Sequence, residues 1–276
     1  MEAFHNMESL IKMALEEDLR DIGDITSDSI FKDENYVFKL ISKDSGILCG
    51  IEIFRRVMQM ADCMIRITNY FYDGNQINKG DVVAEVAGQV RSILRSERTA
   101  LNFISMLSAV ATRTSEFVKK AEGKVIILDT RKTIPGYRQL QKYAVKCGGG
   151  HNHRMGLYDM VMIKDNHIDA AGGIRAAVDR IREKWGNRFR IEVEARNISE
   201  VKEAITCRVD RIMLDNMSNS ETAEAVKLIG GISETEASGN ITTDRIKSVG
   251  LTGVDFLSAG ELTNSIKAFD FSLKKK

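Results

Sequence analysis

The chain has 276 residues, enough to bury a substantial core in one large domain or two. Its apolar and charged fractions, 43% and 29%, are those of an ordinary globular protein, which excludes disorder as the default. A formal charge of +1 excludes the strongly basic domain that is typical of a general nucleic-acid binder.

The cysteines and the N-terminal segment indicate a protein of a reducing compartment. Cys49, Cys63, Cys147 and Cys207 are scattered, form no C-x-x-C pair and have no histidine at metal-ligand spacing. We therefore expect reduced structural thiols, with neither disulfides nor a zinc site. Residues 1–19 are acidic and amphipathic, unlike a signal peptide, and no apolar run approaches the roughly 20 residues of a membrane helix. We expect a cytoplasmic protein without membrane contact.

The first half of the chain predicts helices on an antiparallel sheet. Apolar residues about one turn apart predict a helix over Met7 to Leu19, and the polar segment at 21–30 predicts a turn. Alternation over Tyr36 to Cys49 predicts a hairpin. Residues 51–61 have helical spacing, and residues 64–88 return to strands. We find no catalytic cluster in this half and expect a structural role for it.

A long helix, predicted over Arg91 to Ala121, joins this half to a region where strands alternate with helices. The β-rich runs lie at 125–129, 160–165, 190–195, 211–215, 231–239 and 254–260, with helical patterns at 174–184, 198–205 and 220–228. Six such strands in series predict an α/β fold with an incomplete or irregular (β/α) barrel. We therefore expect an N-terminal α+β, sandwich-like domain over residues 1–110 and a barrel catalytic domain over 111–276. Its C-terminal segment is expected to pack back on the N-terminal domain.

Charged residues cluster at the carboxyl ends of the predicted barrel strands, where the active sites of such barrels form. Cations follow the first two strands and acids end the next two: Arg131, Lys132 and Lys164, then Glu192 or Glu194, and Asp215. A local excess of cations in a nearly neutral chain predicts a small polyanion as the ligand. Arg131 offers a planar fork suited to a carboxylate, and Lys132 a point charge suited to a phosphate.

Further residues at the strand ends suggest a metal and a phosphate. Glu194 and Asp215 are placed to share a Mg²⁺ ion or to hold sugar hydroxyls. Ser238-Gly239 and Ala259-Gly260 follow the last two strands, where (β/α) barrels commonly bind phosphate through backbone N–H groups. Structural ion pairs of the acids, and ordinary Gly-containing turns, remain the alternatives.

Several long motifs resemble those of quinolinate phosphoribosyltransferases, the carboxylating nicotinate-nucleotide pyrophosphorylases. The strings span nearly the whole chain: EDLRDIGDIT (17–26), ERTALN (97–102), the segment LDTRKTIPG to IKDNHI (128–168), EVE (192–194), LDN (214–216), ASG (237–239) and GVDFLSAGELT (253–263). The resemblance implies the transfer of a phosphoribosyl group from phosphoribosyl pyrophosphate to quinolinate. The products would be nicotinate mononucleotide, CO₂ and pyrophosphate, a step of NAD biosynthesis.

The resemblance also implies a role for each matching residue. The quinolinate carboxylates would be held by Arg98, Arg131, His153, Arg154 and Lys164. Lys132 and Lys164 would approach the pyrophosphate, and Glu194 and Asp215 would serve the ribose hydroxyls and Mg²⁺, directly or indirectly; these four are the implied catalytic residues. The 5′-phosphate would be cradled by Ser238, Gly239 and Gly260. The remaining implied substrate-binding residues are Thr130, Asn240, Ala259 and Glu261. No organic cofactor is implied, and the assembly would be a homodimer or a dimer-based hexamer, with Arg98 acting in a neighbouring subunit.

The chain departs from the family pattern beside the implied phosphate site. Ser238-Gly239-Asn240 stands where S-G-G is usual, and G-E-L-T-N-S at 260–265 where G-A-L-T-H-S is usual. We expect Glu261 to point away from the phosphate. Two alternatives remain open: a pyrophosphorylase-like paralogue with another acceptor, such as those associated with molybdenum transport, and a non-catalytic carboxylate-binding module. The intact N-H-R and I-K-D-N-H strings favour quinolinate.

Overall fold

The computed structural model describes residues 7–276. Its helices are α1 (Met7–Leu19), α2 (Ile25–Ile30), α3 (Ile51–Ala61), α4 (Val90–Ala121), α5 (Arg138–Cys147), α6 (Asp165–Ala171), α7 (Ile174–Trp185), α8 (Ile198–Thr206), α9 (Asn219–Ile229), α10 (Thr243–Gly250) and α11 (Glu261–Asn264). Its strands are β1 (Asn35–Ser42), β2 (Gly46–Ile47), β3 (Arg66–Asn69), β4 (Gln76–Ile77), β5 (Val82–Gln89), β6 (Ile126–Leu128), β7 (Val161–Ile163), β8 (Ile191–Ala195), β9 (Arg211–Asp215), β10 (Glu234–Ser238), β11 (Phe256–Ser258) and β12 (Phe271–Lys275). Over these residues, no helix combines the length and the apolar character that a membrane crossing requires.

The chain divides into two compact units that are each built from separated segments. The first contains the residues up to Ser115 together with 134–149 and 265–276, and the second contains 116–133 and 150–264. This division is more interleaved than a single cut near residue 110. It places α5 and β12 with the first unit, where β12 pairs antiparallel to β1.

The first unit is an α+β structure around an antiparallel sheet with the strand order β12-β1-β5-β3. A second, two-stranded sheet joins β2 to β4. Helices α1 and α3 form where the 3.6-residue spacing predicts them, and the apolar face of α3, including Phe54 and Val57, is fully buried. The helix and strand predictions for residues 7–19, 51–61 and 64–88 are confirmed.

One local prediction for this unit is wrong, and another is incomplete, because a turn is present at residues 20–22 but a short helix follows it. The segment Tyr36 to Cys49 is not a hairpin, because β1 pairs with β5 on one side and β12 on the other, while β2 pairs with β4. A strand with both edges occupied has no free edge for its neighbour in sequence. The turn expected at 21–30 contains α2, because the Asp24 carboxylate accepts hydrogen bonds from the backbone N–H groups of Thr26 and Ser27 and caps this helix.

The second unit is a barrel-like α/β structure around a six-stranded parallel sheet. The strand order is β6-β11-β10-β9-β8-β7, so the last strand of the unit returns to pair with its first. Side chains such as Val193, Ile212 and Leu214 are buried between the sheet and the helices that connect its strands. All six strands and the three helices predicted between them are confirmed, as is the long helix α4.

The register of the sheet brings the carboxyl ends of its strands to one level. Leu128 at the end of β6 is the partner of Ser258, Ser258 is the partner of Ser238, and Ser238 is the partner of Asp215. Residues that directly follow these strands therefore meet at the same edge, which is where barrels of this kind form their sites.

Candidate active site

A cavity of about 530 Å³ opens at the carboxyl ends of the strands of the second unit. Its volume is in the range of small-molecule sites. Most of the predicted site residues line it: Thr130, Arg131, Lys132, His153, Arg154, Lys164, Glu194, Asp215, Ser238, Gly239 and Asn240. The sheet thus brings together the cations that follow β6 and β7 and the acids of β8 and β9.

Four predicted residues are not among those that line this cavity within the described chain: Arg98, Ala259, Gly260 and Glu261. Gly260 is nevertheless adjacent, because a Cβ atom at this position would lie 2.9 Å from the Cδ atom of Lys132. The hydroxyl of Thr263 donates to the backbone carbonyl of Lys132 at 2.7 Å and fixes the start of α11 beside the loop after β6. Arg98 is exposed on α4 and belongs to the first unit.

The cavity also contains residues that the sequence reasoning missed: Met162, Met213, Asn216 and Ser258. The two methionines lie within strands and are indistinguishable from core residues by hydropathy. Asn216 directly follows Asp215 and has a φ of 55°, a conformation that Asn tolerates better than most residues. In the sequence, the only signal is an Asn that directly follows the acid at the end of a strand.

The buried carboxylate of Asp129 joins the two halves of the longest motif. It accepts a hydrogen bond from the Nδ2 of Asn152 at 2.5 Å and another from the backbone N–H of His153 at 2.9 Å. His151 forms a parallel bridge with Leu128 at the end of β6. Asp129 therefore holds the N-H-R string against the strand that precedes Arg131, which accounts for residues over twenty positions apart meeting in one site.

Two arginine side chains, Arg131 and Arg154, line the same cavity. Burial first, and then the nearby charge of Arg131, lower the pKa of Arg154. Arg154 donates to the backbone carbonyl of Met160 at 3.1 Å. The Nε of Arg131 is buried, and in the described residues it has no hydrogen-bond partner. Neighbouring cations with unused donors indicate an anionic ligand, because a buried donor without a partner is costly.

Beneath the cavity, His153 contacts a buried charge cluster. Its Nε2 lies 3.0 Å from Glu192 Oε2 and 3.5 Å from Glu236 Oε2, and both carboxylates are fully buried. The guanidinium of Arg211 donates to Glu236 Oε2 at 2.9 Å. Of the two acids considered for the end of β8, Glu194 therefore lines the cavity, whereas Glu192 belongs to this cluster.

The cluster retains one additional proton. Burial, and then the charge of Glu236, raise the pKa of Glu192. Burial alone would lower the pKa of His153, but the two carboxylates outweigh it and raise this pKa to about 9. The backbone N–H of Arg154 donates to Nδ1 of His153 at 2.7 Å and Nε2 faces Glu192, so the additional proton belongs to the coupled His153–Glu192 pair rather than to one of the two groups alone.

The additional proton and the guanidinium of Arg211 decide whether this cluster needs a metal ion to balance its charge. Ligand atoms of His153, Glu192 and Glu236 lie within 4.8 Å of one another, a set brought together from distant parts of the sequence. The Arg211 guanidinium and the additional proton already balance the two carboxylates. The cluster therefore has no need of a cation for neutrality.

The acids predicted to serve the ribose and the metal lie at the cavity wall. The Nζ of Lys164 donates to Glu194 Oε2 at 2.8 Å, so the structural ion pair considered as an alternative is present. Asp215 Oδ2 accepts from the Nδ2 of Asn216 at 3.0 Å. Carboxylate oxygens are the ligands that Mg²⁺ prefers, and each of these two carboxylates has further lone pairs for it.

The loop after β10 has a backbone that only glycine can provide at its centre. Gly239 has φ of 95°, and a Cβ atom there would lie 2.1 Å from Asn216 Oδ1. The side chain of Asn240, also at positive φ, donates to the same oxygen at 3.2 Å. Asn216 therefore fixes the turn that places Ser238, Gly239 and Asn240 at the cavity.

Two family models match the chain and together cover most of it. Residues 24–108 match the N-terminal domain of quinolinate phosphoribosyl transferase, and residues 110–274 match the C-terminal domain of the same family. The chain belongs to the quinolinate phosphoribosyltransferase family. The fold class predicted from its sequence is confirmed.

Individual relatives of this family are similar over nearly the full chain. A quinolinate phosphoribosyltransferase [decarboxylating] 2b, mitochondrial, of Nicotiana tabacum is 41% identical over 289 aligned positions, covering 98% of this chain and 82% of that protein. A probable nicotinate-nucleotide pyrophosphorylase [carboxylating] of Bacillus subtilis is 42% identical, covering 92% and 89%. The crystal structure of NadC from Streptococcus pyogenes superposes with a TM-score of 0.95 at 38% identity, covering 99% and 98%.

These relatives confirm the predicted activity. The family member described here is a decarboxylating pentosyltransferase of NAD biosynthesis that acts on quinolinate. A second crystal structure, the nicotinate-nucleotide pyrophosphorylase of Francisella tularensis, is 43% identical with a TM-score of 0.94, covering 98% of this chain and 96% of that one.

Proposed function

We propose that the two carboxylates of quinolinate bind to the guanidinium groups of Arg131 and Arg154. The observation that carries this assignment is that both cations line one cavity, where the buried Nε of Arg131 lacks a partner in the described chain. A planar dicarboxylate supplies two charges and several acceptors to such a pair. Thr130 lies at the same wall, and its hydroxyl accepts from the backbone N–H of Lys132 at 3.0 Å.

We assign His153 a positioning role, which differs from the direct carboxylate contact implied by the resemblance. Both ring nitrogens already face groups of the protein, with Nδ1 at the N–H of Arg154 and Nε2 at Glu192. The ring thereby fixes the backbone from which Arg154 projects. The residue is buried and contributes to the lining of the cavity.

We propose that phosphoribosyl pyrophosphate lies in the same cavity, on the side away from Arg131 and Arg154. Gly239 and Asn240 would hold its 5′-phosphate, with Gly260 at the adjacent loop, and Lys132 would approach its pyrophosphate. Glu194 and Asp215 would hold the ribose hydroxyls and a Mg²⁺ ion. When bound, the ion would neutralise charge on the pyrophosphate as it leaves.

The proposed reaction starts with attack of the ring nitrogen of quinolinate on the anomeric carbon of the ribose. The bond from this carbon to pyrophosphate breaks, and Lys132 stabilises the charge that the leaving group acquires. Carboxylates near the ribose stabilise the positive charge that develops at the anomeric carbon. The alkylated nitrogen then accepts the electron pair released when the adjacent carboxylate leaves as CO₂, and a proton replaces the carboxylate. No nucleophile of the protein is required.

Lys164 is proposed to change partner during the cycle. Its Nζ lies 2.8 Å from Glu194 without substrate, and 45% of its side chain is exposed. Quinolinate or pyrophosphate would compete for this ammonium group and release Glu194 toward the ribose. Because water reaches the exposed Lys164, its ion pair with the mostly buried Glu194 is weak enough for such an exchange.

We further propose a homodimer, or a hexamer built from dimers, in which Arg98 reaches the site of the neighbouring subunit. Arg98 is exposed on α4, whereas the other implied carboxylate ligands belong to the second unit. We also propose a cytoplasmic location for the protein.

Release of both products tests the proposed function. Purified protein with quinolinate, phosphoribosyl pyrophosphate and Mg²⁺ should form CO₂ and pyrophosphate in equal amounts. Binding of quinolinate without turnover would instead support the non-catalytic module, and turnover of a different acceptor would support the paralogue. Omission of Mg²⁺ with a chelator present should abolish or strongly reduce the rate.

A further inference from the structure

The first unit contains a group of four polar side chains that has no part in the proposed reaction. Cys49 lies just before α3 and Cys147 is the last residue of α5. The Sγ atoms of these cysteines and a carboxylate oxygen of Asp73 all lie within 4.8 Å of one another. The hydroxyl of Tyr143 donates to Asp73 Oδ2 at 2.8 Å.

The two thiols are held in place by the surrounding backbone. Asp73 Oδ1 accepts from the N–H groups of Gly50 and Ile51, which directly follow Cys49. The backbone N–H of Cys49 donates to Ser108 Oγ at 3.0 Å. These hydrogen bonds fix the backbone of Cys49 beside the carboxylate of Asp73.

The Cys147 side is equally constrained. Gly148 follows it, and a Cβ atom at Gly148 would lie 2.3 Å from the carbonyl oxygen of Ala111 on α4. The end of α5 therefore packs directly on the backbone of α4, the same helix that holds Cys49 through Ser108. The backbone segments of both cysteines therefore contact α4.

The two thiols differ in exposure and in acidity. Cys49 is fully buried, and burial raises its pKa well above the usual value. Cys147 is partly exposed, and the neighbouring Cys49 thiol lowers its pKa, an effect that outweighs burial and the charge of Asp73. A partly exposed, acidic thiol beside a second thiol is the arrangement of a site for reversible oxidation.

We propose that Cys147 is a peroxide-reactive thiol and that Cys49 is its resolving partner. The Cys147 thiolate attacks one oxygen of hydrogen peroxide, so that an S–O bond forms, the O–O bond breaks and hydroxide leaves to become water. The sulfur of Cys49 then attacks the Cys147 sulfenic acid, forming the S–S bond and breaking the S–O bond, and its proton leaves with the hydroxide as a second water. One peroxide is reduced and two thiols are oxidised to a disulfide.

The test uses the full chain with Cys63→Ser, because Cys63 is exposed and would form disulfides between molecules. After exposure to hydrogen peroxide, non-reducing peptide mapping should find a disulfide between Cys49 and Cys147, with the loss of two hydrogen atoms. Cys207, buried in the second unit, is the internal control and should stay reduced. Two reduced thiols at 49 and 147 after this treatment would overturn the proposal.

Variants of the pair assign the two roles. With Cys49→Ala, a sulfenic acid should accumulate at Cys147 and be trapped by a dimedone-type reagent. With Cys147→Ser, trapping at Cys49 should be at least about tenfold slower, because the thiolate is the reactive form. Equal trapping at both positions would contradict the assignment. Stoichiometric retention of Zn²⁺ with both thiols protected from peroxide would also overturn it, in favour of a soft-metal site.

Discussion

The Nε2 of His153 lies 3.0 Å from a carboxylate oxygen of Glu192, and this contact connects the cavity to the buried interior of the barrel. Glu192 has no exposed surface, and Glu236 and Arg211 complete the cluster on the neighbouring strands β10 and β9. Arg154 directly follows His153, and its backbone N–H donates to Nδ1 of His153. The orientation of Arg154, which is proposed to bind quinolinate, therefore depends on Glu192, a residue that the substrate does not contact.

The additional proton of this cluster predicts a stability that falls at alkaline pH. His153 and Glu192 both have pKa values raised in the folded state, so their contribution is present at low pH and lost as the pH rises. For His153 the window runs from its ordinary 6.5 to about 9. Across it, we expect the free energy of unfolding to fall by on the order of 3 kcal/mol.

Denaturant unfolding of matched variants measures this effect. Glu192→Gln replaces the titrating carboxyl with a neutral amide and should make the decline with pH clearly shallower. Glu194→Gln makes the same change two residues along β8, outside the cluster, and should keep the wild-type slope. Equal slopes for the wild type and both variants would show that the pair does not hold the additional proton.

The proposed roles of Lys132 and Arg154 predict opposite kinetic defects. Lys132→Ala should lower kcat by on the order of 100-fold, since its charge acts as pyrophosphate leaves. Arg154→Ala should instead raise the KM for quinolinate by about 30-fold or more, because one charge partner of the substrate is lost. Steady-state kinetics distinguish the two, with exposed Lys202→Ala on α8 as the control. The reverse pattern would exchange the assignments.

The close approach of Gly239 to Asn216 predicts a selective loss of phosphoribosyl pyrophosphate binding. Gly239→Ala adds a Cβ atom 2.1 Å from Asn216 Oδ1 and strains a backbone at φ of 95° by about 1–2 kcal/mol. The KM for phosphoribosyl pyrophosphate should rise while quinolinate binding changes little. Gly231→Ala is the control, because it has positive φ but open space around its Cβ position. Equal effects of both variants on the KM for phosphoribosyl pyrophosphate would show that backbone strain, and not the contact with Asn216, causes the loss.

Much of the site could be predicted from the sequence because parallel strands end at one level. Arg131 and Lys164 come after recognisable strands and Asp215 ends one, so the barrel prediction alone implies that their charges converge. The cluster around Glu192 could not be predicted from the sequence, since its members are ordinary strand residues whose inward direction depends on the sheet register. The hairpin prediction for Tyr36–Cys49 is wrong for a related reason, because alternation identifies a strand but not its partner.

Sharing of Arg98 between subunits predicts that two inactive variants restore each other. Arg98→Ala and Lys164→Ala homodimers should each be inactive, but after subunit exchange half of the dimers are mixed. Each mixed dimer has one intact site of two, so activity should approach about one quarter of the wild-type value. Mass spectrometry of the intact assembly verifies the exchange. Background activity after verified exchange would place Arg98 in the site of its own chain.

The ratio of kcat/KM for quinolinate to that for nicotinate tests most directly whether Arg131 and Arg154 form a pocket for two carboxylates. Nicotinate lacks the carboxylate beside the ring nitrogen and would leave a partly buried guanidinium without its partner. The difference should be at least about 3 kcal/mol, or roughly two orders of magnitude in kcat/KM. Comparable values for the two acids, measured as pyrophosphate release under the same conditions, would contradict this account of the site.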